Sequence, residues 1–70
     1  MKTFKQYEEL FIEDFSKEFV KCGNVWMHES TKIPAIRVKE NMLPALILKN
    51  EFPKVYQNVF NEWFDVIHPY

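Results

Sequence analysis

Glycine and cysteine each occur once in this chain, at Gly23 and Cys22. A loop that cradles phosphate needs several glycines, so that backbone N–H groups can close on the anion, and one glycine excludes a P-loop or dinucleotide fingerprint. One thiol excludes an intrachain disulfide. Together with the lack of an apolar leader near the start, it points to a reducing, cytoplasmic setting without secretion. No run approaches the ~20 apolar residues that a membrane-spanning helix requires, so no membrane partner is expected. The formal net charge of -1 supplies no field to gather nucleic acid, and any such site must be a local patch. Arginine is confined to Arg37, while Phe, Ile and Asn are plentiful and Gly and Ala scarce. This usage fits an AT-rich genome such as that of a low-GC bacterium or its phages.

What the chain does contain is apolar and aromatic. Its 70 residues form one domain, 1–70, and 47% of them are hydrophobic and 17% aromatic. A domain this small buries only roughly 60% of its unfolded surface, and neither disulfide nor metal supplements the core. Dense aromatic packing or association with another chain must do so, and large apolar patches on small proteins often mark interfaces.

The helical period is clearest near the start. Phe4, Tyr7, Phe11, Phe15, Phe19 and Cys22 recur at spacings of three and four with Ile12 on the flank, against a polar face of Lys5, Gln6, Glu9, Glu13, Ser16 and Lys17. Thr3 and Gln6 stand at capping-box spacing, and the helix is expected to end near Cys22 with Gly23 as its left-handed cap. Over 24–39 alternation replaces that period, and 25–29 and 35–39 read as a β-hairpin joined through residues 30–34. The apolar run 43–48 reads as a third strand, with a short helix capped by Asn41 and led by Pro44 as the alternative. A last helix is expected from Pro53 to Ile67, with Asn50 as cap, Glu51 in its first turn and Pro69 as its stop. Its apolar residues cover about half the circumference at 100° per residue. Phe52, Val55, Val59, Trp63 and Val66 can lie on a sheet, while Tyr56, Phe60 and Phe64 require helix 1 or another chain.

The expected fold is a two-layer α+β domain, α-β-β-(β)-α, with two helices on one face of a short antiparallel sheet. If Val25, Met27, Ile36 and Val38 point inward, strand alternation sends Trp26, His28, Arg37 and Lys39 outward. A tryptophan beside two cations fits an interface anchor, or a platform that stacks bases and holds phosphates. The plain reading is that Trp26 is covered by the tail 67–70, or by helix 1 with the strand faces reversed.

Catalytic constellations do not assemble. Cys22 falls on the apolar stripe of helix 1 and reads as a buried structural thiol, Ser16 lies on the polar helix face, and Ser30 lies in a turn. His28, Glu29 and His68 lack ligand spacing, so neither metal nor cofactor is expected. Glu8 and Glu18 fall inside the apolar sector of helix 1, where an unpaired carboxylate is costly, so each must reach water, a lysine or a charged partner. The chain therefore reads as a non-enzymatic protein-interaction module. A phage or mobile-element regulator or inhibitor that occupies a partner's surface is the expected type, and its partner residues are Trp26, His28, Arg37, Lys39, Tyr56, Phe60 and Phe64. The partner is another protein, or a second copy in a homodimer. The alternative is a small nucleic-acid-binding protein that uses the hairpin face.

Overall fold

The computed structural model describes residues 3–67. The first helix, α1 (Phe4–Ser16), opens on the expected capping box: the Gln6 N–H donates to Thr3 Oγ1 at 3.3 Å and the Thr3 N–H donates to Gln6 Oε1 at 2.9 Å. It stops at Ser16 rather than near Cys22. The N–H groups of Lys17, Glu18 and Phe19 turn to carbonyls three residues back, a tightening that ends the helix while still delivering Phe19 to the core.

The chain then pairs strand β1 (Val20–Cys22) with β2 (Val25–Met27) across the two-residue turn Gly23-Asn24. Gly23 has the left-handed φ of 65° foreseen for it, but as the first corner of a hairpin. Strand β3 (Ile36–Arg37) pairs with β2 as expected, giving an antiparallel sheet of order β1-β2-β3. The domain is α+β with the order α-β-β-β-α-α, and its third strand is 20–22, not 43–48.

The run 43–48 instead enters the helix α2 (Pro44–Glu51). Proline occupies its first turn, Leu43 rather than Asn41 is the cap, and Asn41 sits in the preceding turn at φ 62°. Ala45, Ile47 and Leu48 are wholly buried, so this helix is apolar around most of its surface and leaves no period to read. Helix α3 (Pro53–Ile67) begins at the expected residue, while Asn50 and Glu51 belong to the end of α2. Proline at 53 disfavours helical backbone at Phe52, whose φ of -134° separates the two helices. The end at Pro69, the tail as a cover for Trp26 and the metal candidate His68 lie outside the described residues.

Alternate faces of the sheet follow from its register. Trp26 opposes Ile36 on the side covered by the helices, and Val20, Cys22, Val25, Met27 and Arg37 share the open side. Helix α2 reaches β3, while α3 packs on α2 and α1. Phe11 is fully buried where α1 meets α3, with ring centroids 5.1 Å from Phe15, 5.2 Å from Phe60, 5.3 Å from Trp63 and 5.5 Å from Tyr56. Each such ring pair adds about 0.5–1.5 kcal/mol beyond burial. Phe11→Ala is therefore expected to cost about 3–5 kcal/mol and leave most of the protein unfolded at 25 °C. Phe4→Ala, at a residue 63% exposed, should cost less than about 1 kcal/mol. Urea titrations followed by circular dichroism test the pair, and equal midpoints would contradict the central place given to Phe11.

Candidate functional site

The outward cluster of Trp26, His28, Arg37 and Lys39 does not form, because β2 turns the opposite face to the core from that expected, while β3 keeps Ile36 inward and Arg37 outward as expected. A strand buries its largest apolar side chain on the covered face, and the indole of Trp26 packs against the core opposite Ile36. Its Nε1–H is buried without an acceptor. His28 follows Trp26 inward, with a side chain 7% exposed and rings of Phe15 and Phe19 each 5.2 Å away. The Ser30 N–H donates to its Nδ1 at 3.0 Å, which assigns the ring proton to Nε2, and that N–H donates to Glu18 Oε1 at 2.9 Å. Arg37 alone of the four stands on the open sheet face, beside Val25. Lys39 instead pairs with Glu51 at 3.0 Å, a largely exposed contact of small energetic weight.

Tyr56, Phe60 and Phe64 find helix 1. Phe60 meets Phe4 at 5.5 Å and Phe11, Phe64 meets Tyr7 at 5.3 Å, and Tyr56 and Phe60 are each 3% exposed. These rings are occupied within the chain. Cys22 is exposed on β1, contrary to the buried thiol expected, because the helix ends before reaching it. Ser16 is buried, contrary to its place on a solvated face. Its hydroxyl accepts the Ala45 N–H at 3.1 Å and so satisfies the first turn of α2.

The two carboxylates in the apolar sector both find partners within the chain. Glu18 holds His28, and Glu8 Oε2 accepts from Lys49 Nζ at 2.9 Å and from the Tyr56 hydroxyl at 2.8 Å. Lys49 also lies 5.7 Å from the centre of the Tyr56 ring. The Lys49 ammonium, outweighing partial burial and aided by Tyr56, holds the Glu8 carboxyl below its ordinary range. Burial first and the adjacent Glu8 second push the Tyr56 hydroxyl well above its usual value, so it remains a donor. This triad ties α1, α2 and α3 together. Among the described residues no group of three or more His, Cys, Asp or Glu side chains could hold a metal, and no helix is long and apolar enough to cross a membrane.

What remains open is the other flank of α3. With Tyr56, Phe60 and Phe64 turned to α1, the stripe of Val55, Val59, Trp63 and Val66 is only half-covered, and Val66 is 75% exposed. It floors two adjoining depressions, of about 420 Å³ and about 240 Å³, which share Val59 and Glu62. Phe11 and Phe15 reach the bottom of the smaller one, while Lys32 rims the larger and Glu18 the smaller. The open sheet face is the other apolar surface, with Val20 62% and Met27 43% exposed. Strands about 4.8 Å apart and two or three residues long make it only ~10 Å across, and it is flat. The α3 groove is longer, concave and floored by aromatic rings, and it is the candidate site. Sequence reasoning held the clue to it, since the apolar arc of this helix is wider than one contact needs.

The Glu8 triad gives stability a two-sided pH dependence. A carboxyl whose pKa is lowered by folding stabilises above its unfolded value, and that contribution disappears as acid protonates it in the folded protein. A hydroxyl whose pKa is raised stabilises below the ordinary 10.0 of tyrosine, and that contribution fades as pH climbs beyond it. Glu8→Gln is expected to flatten the acid side of a Tm-versus-pH curve, and Tyr56→Phe to flatten the alkaline side at a cost of about 1 kcal/mol near neutrality. Unchanged curves in both variants would show the triad to be energetically silent.

No protein-family model matches this chain, and no curated protein or solved structure matches it either, so its function is read from the groove and the residues that build it.

Proposed function

We propose that this domain is a protein-interaction module that binds through the groove along α3 and regulates or inhibits its partner by occupying the partner's surface. The observation that carries this reading is the half-covered stripe Val55, Val59, Trp63 and Val66 over the rings of Phe11 and Phe15. Residues at these spacings present one face over about three turns, which suits an amphipathic helix laid into a groove. Trp63 is the natural anchor, since tryptophan in a partly desolvated pocket often dominates binding energy, and the polar rim of Lys32, Asn58, Asn61 and Glu62 supplies orientation. The nucleic-acid reading loses support, because the open sheet face offers Arg37 but no aromatic ring on which a base could stack.

Peptides selected by phage display against the immobilised domain test the reading. Selected binders are expected to lose at least about tenfold in affinity on Val66→Asp and to be indifferent to Met27→Asp on the open sheet face. Binders with the opposite pattern would move the docking surface to the sheet.

A further inference from the structure

Glu62 is out of place on its helix. At 100° per residue it falls within about 40° of both Val55 and Val66, inside the apolar stripe of α3, and it lines both depressions of the groove. The two other carboxylates set in apolar sectors, Glu8 and Glu18, find donors within the chain. The Glu62 side chain makes no hydrogen bond or ion pair among the described residues, and the Lys32 ammonium, on the rim of the larger depression, forms no ion pair either. The smaller depression brings Glu62 together with Glu18. It is floored by Phe11, Phe15 and Trp63, and its charged lining is these two carboxylates, with no cationic side chain among the described residues. Glu18 is held ready. Its side chain is 58% exposed, and the buried imidazole of His28 binds Oε1 at 2.9 Å while Oε2 has no partner among the described residues.

We infer that the smaller depression receives one cationic side chain, lysine or arginine, from the partner that the groove binds. The inference rests on the reading of the groove as a docking surface and names the chemistry of the residue that enters it. Two negative charges at the edge of an aromatic floor suit such a side chain in each of its parts. The alkyl stem lies on apolar surface, the charged head donates to Glu18 and Glu62, and the electron-rich face of Trp63 adds a further attraction for the cation. A volume of about 240 Å³ fits one long side chain. An apolar anchor in the same place strips water from two carboxylates without replacing the lost hydrogen bonds, and an acidic one is repelled. The charge that stands unpaired on the stripe of α3 is therefore a selector of the partner, answered from outside as Glu8 and Glu18 are answered from within.

Peptides selected by phage display against the full chain are the probe, and fluorescence anisotropy of labelled copies is the readout. They are expected to share a lysine or arginine at one fixed position. Exchange of that residue for a neutral isostere, norleucine for lysine or citrulline for arginine, should weaken binding at least about tenfold. Glu62→Gln should cost about as much while leaving the circular dichroism spectrum unchanged, since no described contact depends on that carboxylate. In the Glu62→Gln protein the neutral exchange should cost at most about threefold more, the coupling that marks the two groups as partners. Peptides that require Val66 but carry no fixed cation, or that keep their affinity for Glu62→Gln, overturn the cation site and leave the groove standing. Peptides indifferent to Val66→Asp, or a library that yields no binder, remove both readings. A dimer in sedimentation equilibrium that Val66→Asp abolishes gives the groove to a second copy and overturns the inference as well.

Discussion

The packing of Phe11 sets the terms for the rest of the molecule. Its ring stacks on Phe15 and is edged by Tyr56 and Phe60, so one fully buried side chain joins the first helix to the last across most of the chain's length. Once α1 is held against that side of α3, its apolar stripe is used up and its other face stays in water. The opposite flank of α3 is then only half-covered by the described residues. The aromatic surplus of a small core and the open groove are two results of the same contact.

Polar ties hold the elements in the positions that Phe11 allows. The Ser16 hydroxyl joins the end of α1 to the start of α2, Glu8 gathers Lys49 and Tyr56, and Glu18 holds His28 beneath the turn after β2. Each links residues far apart in the chain, and each satisfies a group that burial would otherwise penalise. The end of α1 at Ser16 frees residues 20–22 to add a third strand, and a two-stranded hairpin alone is marginal in water. Against this pattern, the Nε1–H of Trp26 is the one buried side-chain polar atom among the described residues that lacks a partner.

The proposed binding role rests on the half-covered groove along α3. The groove combines a floor built on two packed helices with a polar and charged rim of Lys32, Glu18 and Glu62. A floor held by packing lowers the entropy lost on association, and a charged rim restricts which partners are accepted.

Local chemistry in the sequence was sufficient for the capping box at Thr3, the hairpin built on 25–27 and 36–37, the start of α3 at Pro53 and the α+β class. Those features depend on residues within one or two turns of each other. The positive φ of Gly23 was legible as well, although its use was not, because a helix cap and a hairpin corner ask the same thing of a glycine. Tertiary structure alone decided where α1 stops, since the bond from Ala45 to Ser16 spans residues 29 positions apart. It also decided that 43–48 is a helix, because a segment buried on nearly every side carries no period, and which strand face is covered, because a shift of one residue exchanges the two faces. The width of the apolar arc on α3 was plain in the sequence. Which part of that arc would remain open depended on where α1 came to rest.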